Sequence, residues 1–309
     1  MPWYMPIPPK RKCLCPAWPE LPFNIHELTK SVNGRMNTLR NQDIFSGLGG
    51  TLNRERNTIP IQMKVELTHM KPIIGITAQQ QENLYDYKMQ PVYPEVVIQE
   101  GGIPIIIPIV PSEHLDDVLD RVDGVIMTGG WDIDPDLYGE ETMPETGQIN
   151  FEMDEFDSSV IKNVMARDMP FFGTCRGAQM LNVMTGGTLY QCIEKQLDEP
   201  LKHLQEHGRE HPVHHVEIIG GEILPPLYPG GRTRVNSSHR QGIKTVGEGV
   251  EIAAQSPDGL VEAIEMPDKR FVLGTQWHPE NFALKGHEPS KSIIKGFIEA
   301  AAEYKKSKS

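Results

Sequence analysis

The feature that most constrains the fold of this chain is an alternation of short apolar segments with helix-length segments, which begins near residue 70. Strand-like segments occur at 72–78, 103–108, 123–127 and 170–174, and helical patterns occur around 91–101, 112–121, 153–168 and 176–184. Buried strands separated by helices predict a parallel sheet that is covered on both faces. We also expect the hydroxyl of Ser112 to cap the second helix.

The second half of the chain is richer in strand patterns. The segments are 213–219, 232–237, 250–256, 260–266 and 270–276, and a closing helix is expected at roughly 289–305. Few helix-length segments separate these strands, so we expect them to pair antiparallel. The sequence therefore predicts one α/β domain over residues 70–309, with an antiparallel β addition in its C-terminal half.

The first 70 residues differ in composition from the rest. Seven prolines fall within the first 22 positions, and the segment has 9 Lys and Arg against 5 Asp and Glu, whereas the whole chain of 309 residues has a net charge of −12. Neither a helical nor a strand period is sustained there. Two interpretations of residues 1–69 stay open, a flexible extension and a misassigned start, with Met70 as the natural first residue.

Composition excludes several functional classes. The acidic net charge of −12 argues against a nucleic-acid-binding protein. The longest apolar run, 103-IPIIIPIV-110, is too short for a membrane span, and the N-terminus has no signal-peptide pattern. The four cysteines, Cys13, Cys15, Cys175 and Cys192, do not suggest a disulfide framework or a zinc finger. We expect a cytoplasmic protein.

Cys175 lies in the segment Gly173-Thr174-Cys175-Arg176-Gly177, between a predicted strand and a predicted helix. This spacing is typical of a nucleophile elbow, in which flanking glycines let the strand and helix backbones pass closely. The N-terminus of the following helix would favour a thiolate. A buried structural cysteine is the alternative, and the motif alone does not decide between the two.

His278 is the best candidate for a base. It follows the apolar strand 271-FVLGTQ-276, and Pro279 and Glu280 come directly after it. Strand ends in open α/β folds meet at the ligand-binding edge of the sheet, so His278 can approach Cys175. Glu280 can bind the imidazole and fix its tautomer. The combination with the elbow favours Cys175 as a nucleophile.

The chain has eleven histidines, and several lie in 203-HLQEHGREHPVHH-215. His203, His207 and His211 have a helical spacing of four, but Gly208 and Pro212 interrupt any helix that would align them. We interpret this segment as a polar, solvated connection. We expect neither a metal site nor a cofactor.

Two motifs resemble a known family. The segments 173-GTCRGAQ-179 and 276-QWHPE-280 resemble the Cys-His-Glu triad motifs of class I glutamine amidotransferases. Four further segments are similar to the γ-glutamyl-γ-aminobutyrate hydrolase branch of that class: 128-TGGWDIDPDLYGE-140, 182-NVMTGGTLYQ-191, 235-VNSSHRQ-241 and 256-SPDGLVEA-263. The resemblance covers almost all of residues 71–309 and does not extend to the first 70.

The resemblance implies a flavodoxin-like three-layer sandwich with Cys175 as nucleophile, His278 as acid and base, and Glu280 as the residue that orients it. It places the oxyanion hole at the backbone amides of Gly129, Gly130 and Arg176. Expected substrate contacts are the side chains of Gln179, Asn236, Ser237, His239, Gln241 and Arg176. Trp131 and Asp132 are candidate pocket-wall residues, and Asp258-Gly259 is a turn without a catalytic role.

The expected function is that of a cysteine hydrolase that cleaves a small γ-glutamyl-amine, such as γ-glutamyl-γ-aminobutyrate, through a thioester. By resemblance this places the protein in polyamine catabolism, as in putrescine degradation. One alternative is a glutaminase subunit that delivers ammonia to a partner synthetase, although no synthetase domain is recognised in the chain. Another is a non-enzymatic binding or stress-response module of the same fold. The leaving amine and the oligomeric state, a homodimer included, stay open.

Overall fold

The computed structural model describes residues 71–80 and 86–308. The predicted extension over residues 1–69, with Cys13 and Cys15, lies outside the described residues. Both interpretations of that segment therefore stay predictions.

The strands follow the predicted pattern closely. They are β1 Ile73–Thr77, β2 Gln79–Gln80, β3 Tyr87–Lys88, β4 Ile103–Ile107, β5 Gly124–Met127, β6 Phe171–Thr174, β7 Thr188–Tyr190, β8 His214–Ile218, β9 Arg232–Val235, β10 Gly242–Thr245, β11 Glu251–Gln255, β12 Val261–Glu265 and β13 Val272–Thr275.

The helices are α1 Val92–Gln99, α2 Ser112–Leu119, α3 Phe151–Ala166, α4 Arg176–Met184, α5 Ile193–Gln196, α6 Pro279–Ala283 and α7 Glu288–Lys308. Two short 3₁₀ helices lie at Pro135–Tyr138 and Pro225–Leu227. Within the described part of the chain, no helix is both long enough and apolar enough to cross a membrane.

The main sheet has a parallel half and an antiparallel half. Strands β4, β1, β5, β6 and β13 lie side by side in that order, and each pair of neighbours is parallel. Counted along the chain, these five strands have the order 2-1-3-4-5 of flavodoxin-like folds. Strands β12, β11, β8 and β9 continue the sheet with antiparallel pairing, and β10 joins β12 to β7. The predicted fold class is confirmed.

Helices cover both faces of the parallel half, because successive residues of each strand point to opposite sides. Ile126, Phe172 and Leu273 pack in one apolar cluster with α1 and the apolar side of α7. Their neighbours Val125, Phe171 and Val272 pack in a second cluster with α2, α3 and α4. These near-continuous apolar strands are therefore buried on both faces and fix the three-layer arrangement.

Local details differ from the expectations at a few points. Helix α2 begins at Ser112 itself, with Pro111 before it, and no side chain caps its N-terminus. The expected Ser112 cap is therefore wrong, because the hydroxyl lies one position too late to accept from the first turn. The short strands β2, β3, β7 and β10 and the short helices α5 and α6 were not expected. Pro279 begins α6, where its missing N–H has no cost.

Candidate active site

The carboxyl ends of three neighbouring parallel strands form the site. Strand β6 lies between β5 and β13, with Thr174 in register with Thr275 and Gly173 in register with Met127. Residues that directly follow these strands therefore meet at one edge of the sheet. They are Thr128 to Gly130 after β5, Cys175 after β6 and Gln276 to His278 after β13.

Cys175 has the backbone of a nucleophile elbow. Its φ of 53° and ψ of −108° lie outside the conformations that non-glycine residues ordinarily adopt. The flanking glycines allow the bend, since a Cβ at Gly173 would lie 2.6 Å from the carbonyl carbon of Gly177. A Cβ at Gly177 would lie 2.3 Å from the carbonyl oxygen of Met127. The geometry agrees with the sequence motif and with a strained nucleophile.

His278 and Glu280 form a buried pair beside Cys175. The Nδ1 of His278 donates to Oε1 of Glu280 at 2.6 Å, and both side chains are fully buried. Asn236 fixes the backbone of His278, because its Oδ1 accepts from the His278 N–H at 2.8 Å and its Nδ2 donates to the His278 carbonyl at 3.0 Å. The imidazole is thus held in one orientation with Nε2 away from Glu280.

The surroundings of Gly129 show that the His278 imidazole and the Cys175 thiol are adjacent. A Cβ at Gly129 would lie 3.3 Å from Cε1 of His278 and 3.8 Å from Sγ of Cys175. The structure therefore brings Cys175, His278, Glu280 and Gly129 together, as the sequence predicts.

The electrostatics of the site favour a charged imidazole. Burial opposes the charge on His278, but the nearby Glu280 carboxylate raises its pKa above the usual value. The Arg209 charge acts in the opposite direction. Cys175 directly precedes the first residue of α4. The imidazole of His278 therefore keeps its proton more readily than a free histidine does.

Tyr93 was not among the predicted site residues. Its hydroxyl lies 2.8 Å from Oγ1 of Thr174 and accepts from the N–H of Gly129 at 3.4 Å. Burial, together with the Glu280 charge, raises the pKa of Tyr93 well above its usual value, so the phenol stays protonated. The Gly129 amide therefore has a partner inside the protein. Sequence reasoning missed Tyr93 because this residue lies on helix α1, far along the chain from the recognised motifs.

Gly130 and Arg176 are the other two predicted oxyanion residues. The Arg176 N–H is the first amide of α4 and thus one of those without a partner in the helix. A Cβ at Gly130 would lie 2.8 Å from Cδ of Arg176, so only glycine fits there. The backbone of Gly130 is therefore packed against the Arg176 side chain.

A cavity of about 260 Å³ opens onto Cys175. Its wall contains two cationic side chains, Lys88 and Arg209, together with Gln79, Met89, Gln90, Tyr93, Thr128, Gly129, Gly130, Trp131, Cys175 and Ser238. The expectation that Trp131 lines the pocket agrees with this cavity. Asp132 instead binds the guanidinium of Arg240 and the N–H of Gly147.

Sequence reasoning missed the two cations. Arg209 lies in the segment that we interpret as a solvated connection, and its Nη2 donates to Oγ of Ser238 at 3.2 Å. Lys88 lies in the two-residue strand β3. Neither residue belongs to a recognisable motif, and only folding places them at the cavity.

The predicted substrate-binding side chains are buried and bonded to protein groups. Gln179 donates to the Gln241 carbonyl at 2.7 Å, and Gln241 holds both backbone polar groups of Ile133, at 2.7 and 3.0 Å. The Ser237 hydroxyl donates to the His203 carbonyl at 2.7 Å. Asn236 holds His278 as described, and none of these four residues lies in the wall of the cavity. Substrate contact by them stays a prediction that these contacts do not support.

His239 and the Arg176 side chain are also directed into the protein. His239 Nδ1 donates to the Gln241 carbonyl at 2.9 Å. The Arg176 guanidinium is buried and binds the carboxylates of Asp154 and Asp157. The expectation that this guanidinium holds substrate is corrected, because two carboxylates already neutralise it inside the core.

Comparison with known proteins identifies the family. A family model described as peptidase C26 matches residues 72–280. The chain belongs to the peptidase C26 family. This confirms the predicted membership of the class I glutamine amidotransferase-like hydrolases, and the activity class of the family is hydrolysis.

Similar proteins include two from bacteria. The chain is 38% identical over 221 residues to protein NtpR of Enterococcus hirae, across 68% of this chain and 92% of NtpR. It is 34% identical over 228 residues to the γ-glutamyl-γ-aminobutyrate hydrolase PuuD of Escherichia coli K12, across 70% of this chain and 87% of PuuD.

A solved structure supports the fold of this peptidase C26 member. A protein of Thermoplasma acidophilum, provisionally described as one subunit of GMP synthase, superposes with a TM-score of 0.51 at 19% identity. The match covers 76% of this chain and 97% of that protein. At this identity the likeness concerns the fold alone.

Proposed function

We propose that the protein hydrolyses the amide bond of a small γ-glutamyl-amine and releases glutamate and a free amine. The observation that carries the proposal is a cysteine in a strained elbow, with a buried His278–Glu280 pair beside it and a small cavity in front of it. A cavity of about 260 Å³ suits a small molecule rather than a folded polypeptide. The similarity to PuuD supports a γ-glutamyl amide as substrate.

In the acylation step, the Cys175 thiolate attacks the γ-carbonyl carbon and forms a tetrahedral intermediate. His278 donates its Nε2 proton to the amide nitrogen, the C–N bond breaks, and the amine leaves. The glutamyl group is then held as a thioester on Sγ. The hydrogen bond from Nδ1 to Glu280 keeps Nε2 directed away from the carboxylate throughout the step.

In the deacylation step, water takes the place of the amine. His278 accepts a proton from water at Nε2, the hydroxide attacks the thioester carbon, and the C–S bond breaks. Glutamate leaves, and the thiolate–imidazolium pair is restored. Atoms and charges balance over the cycle without any cofactor.

Backbone amides stabilise the oxyanion of both tetrahedral intermediates. We assign this role to the N–H groups of Gly130 and Arg176. The N–H of Gly129 instead donates to the hydroxyl of Tyr93, which fixes the turn. Each well-placed donor of this kind contributes roughly 10²- to 10³-fold in rate. The amide of Arg176 also belongs to the positive end of the α4 dipole.

The α-carboxylate of the glutamyl group needs a cation. Arg209 and Lys88 are the two cations in the cavity wall, and Ser238 holds the guanidinium of Arg209 near Cys175. A guanidinium can bind a carboxylate through two hydrogen bonds, which fixes the distance between the α-carbon and the sulfur. We therefore assign Arg209 to the α-carboxylate, with Lys88 in support.

A substrate panel tests the proposal. Purified full-length protein is incubated with γ-glutamyl-γ-aminobutyrate, γ-glutamyl-putrescine, an aromatic γ-glutamyl-amine, a short polyglutamate and free glutamine, and liberated glutamate is measured. We expect turnover of at least one γ-glutamyl-amine and none after Cys175→Ala. The Cys192→Ala variant is the matched control, because Cys192 is also buried but does not line the cavity.

Two results would overturn the proposal. Full activity of Cys175→Ala on every amide would exclude the thioester mechanism. Strong glutamine turnover that appears only after a partner protein is added would favour the ammonia-delivering glutaminase subunit instead. Trapping the glutamyl thioester by intact mass on acid quench would identify Cys175 directly.

A further inference from the structure

A second group of titratable side chains lies in the antiparallel part of the molecule, outside the cavity at Cys175. Three imidazole nitrogens surround Oε1 of Glu262, with His203 Nδ1 at 3.2 Å, His214 Nε2 at 3.6 Å and His239 Nε2 at 3.8 Å. All four residues are buried, with between 0% and 7% of their surface exposed. We call these four residues the histidine cluster.

The atoms that face each other in the histidine cluster lie 3.2 to 3.8 Å apart without a well-aligned hydrogen bond between them. Among the described residues, the three facing nitrogens and both oxygens of Glu262 are buried without a hydrogen-bond partner. Burying polar atoms in this way costs free energy unless something compensates them. The convergence of these atoms on one small space suits the binding of a cation.

The opposite nitrogen of each ring is already engaged. His203 Nε2 donates to Oδ2 of Asp258 at 2.9 Å, His239 Nδ1 to the Gln241 carbonyl at 2.9 Å, and His214 Nδ1 to the His215 carbonyl at 3.0 Å. Since carbonyl oxygens only accept, the proton of a neutral His214 or His239 lies on that outer side, whereas His203 has a carboxylate at each of its nitrogens. The inner nitrogens of His214 and His239 then present lone pairs toward Glu262, and His203 releases its inner proton when it binds the ion.

We propose that the histidine cluster binds one Zn²⁺ ion through His203 Nδ1, His239 Nε2 and Glu262, with His214 Nε2 as the fourth ligand. Histidine nitrogens and a carboxylate oxygen are the ligands that Zn²⁺ prefers, at about 2.0–2.2 Å. A tetrahedron with such bonds places its ligand atoms roughly 3.4 Å apart. The separations of 3.2 to 3.8 Å from Oε1 are close to this value. Possible ligand atoms of His203, His239 and Glu262 all lie within 4.8 Å of one another.

The outer contacts match those of zinc-bound histidines. Such residues ordinarily donate their second N–H to a carboxylate or a backbone carbonyl, which fixes the ring and increases its basicity. All three rings of the histidine cluster do so. Asp258, which the sequence indicates only as a turn residue, thereby acquires the role of an outer partner of the metal. Four protein ligands leave no open position, so the ion is structural rather than catalytic.

This proposal departs from the expectation that the chain holds no metal. The set considered in the sequence, His203, His207 and His211, does not form, because His207 and His211 are exposed. His203 instead meets residues from β8, from β12 and from the segment 236–241. Ligands from separated parts of the chain have no recognisable spacing.

The ion would fix the segment that forms one side of the active site. His239 lies next to Ser238, whose carbonyl lies 3.9 Å from Sγ of Cys175, and Asn236 in the same segment holds His278. The ion is therefore a positioning element, and its binding does not depend on the proposed hydrolase activity.

The test measures metal directly. Full-length protein is purified, stripped by dialysis against a chelator, and exposed to Zn²⁺ or Co²⁺, and bound metal is counted by mass spectrometry. We expect about one equivalent of either ion, and the visible absorption of bound Co²⁺ should have the intensity of a tetrahedral site. Zn²⁺ should also raise the midpoint of thermal unfolding of the stripped protein.

Variants assign the site. His239→Gln and Glu262→Gln should lose the bound metal, and Asp258→Asn should weaken binding about 10- to 100-fold, as outer partners commonly do. His207→Gln and His211→Gln are the matched controls from the same segment and should bind metal as the unaltered chain does. Circular dichroism checks that each variant is folded.

Metal uptake by the unaltered protein tests the proposal by itself, even if a variant fails to fold. The proposal is wrong if it takes up less than a tenth of an equivalent of Zn²⁺ and of Co²⁺, or if Co²⁺ shows only the weak absorption of octahedral coordination. Loss of metal in His207→Gln or His211→Gln would also overturn it. A metal-free cluster would mean that a proton on His203, shared between Asp258 and Glu262, supplies the positive charge instead.

Discussion

The described part of the chain contains two buried groups of histidine and carboxylate, and the two groups differ in what their side-chain atoms face. At the active site, His278 and Glu280 are paired with each other, and the adjacent Cys175 borders a cavity. In the histidine cluster, three imidazoles face one carboxylate oxygen, and none of the four residues belongs to the cavity wall.

The difference shows how the same residue types acquire different roles. A histidine that is oriented by a carboxylate and lies beside a nucleophile and an open space can exchange protons with a substrate. In the histidine cluster, each ring donates one N–H to a fixed protein oxygen and directs its other nitrogen toward Glu262. Such an arrangement holds a cation rather than a substrate. Access and convergence, rather than residue type, therefore separate catalysis from metal binding.

Replacing His278, the histidine of the active site, should test the comparison most strongly. We expect His278→Gln to lower kcat by about 10⁶-fold, since removal of the base from a comparable triad has an effect of this size. The same variant should keep one equivalent of Zn²⁺. Steady-state kinetics and metal analysis on one preparation measure both. Loss of metal in His278→Gln with activity retained would mean that the two roles are reversed.

Removing the orienting carboxylate should have the next largest effect. We expect Glu280→Gln to lower kcat by about 10⁴-fold, because the imidazole loses its fixed tautomer and its charge stabilisation. Glu280 raises the pKa of His278 and burial lowers it, so the variant should have a lower His278 pKa. The alkaline limb of the pH–rate profile should therefore move to lower pH. An unchanged limb would show that Glu280 does not act on the charge of His278.

Arg209 tests whether the cavity, rather than the buried motif residues, recognises the substrate. Arg209→Gln should raise KM about 10- to 100-fold with kcat within a few-fold, as expected from the loss of a charged hydrogen bond of about 1.5–3 kcal/mol. A matched variant is Arg240→Gln, because Arg240 pairs with Asp132 and does not line the cavity. An equal effect of both variants would argue against a specific role for Arg209.

Ser238 lies between the two groups, and changing it should have the smallest effect. Ser238→Ala removes the acceptor that holds Arg209 and leaves the backbone carbonyl near Cys175 in place. We expect KM to rise about 2- to 10-fold, because Arg209 keeps its charge and loses only the one hydrogen bond that positions it. Zinc content should stay unchanged, since the Ser238 side chain does not face Glu262. A loss of zinc would mean that the two groups are more closely coupled than their contacts indicate.

The grouping of Cys175, His278 and Glu280 was accessible to sequence reasoning because each of these residues lies in a local pattern. Gly173 and Gly177 mark the elbow around Cys175, and Pro279 marks the strand end that presents His278 and Glu280. Backbone requirements of this kind are met by residues close to the functional residue in the chain, so they can be recognised in the sequence. The substrate contacts were less accessible, since Asn236, Ser237 and Gln241 are polar for a structural reason, to satisfy buried backbone groups.

The order of residues was sufficient to predict the alternation of strands and helices, and with it the parallel sheet, the edge that carries Cys175 and His278, and the family. Folding in three dimensions was needed to show which polar side chains reach the cavity and which are buried. Arg209 and Lys88 line the cavity, whereas the Arg176 guanidinium is buried and binds two aspartates. Folding also brought His203, His214, His239 and Glu262 around one point. The cause is that backbone patterns depend on neighbouring residues, whereas convergence of side chains depends on contacts between segments far apart in the chain.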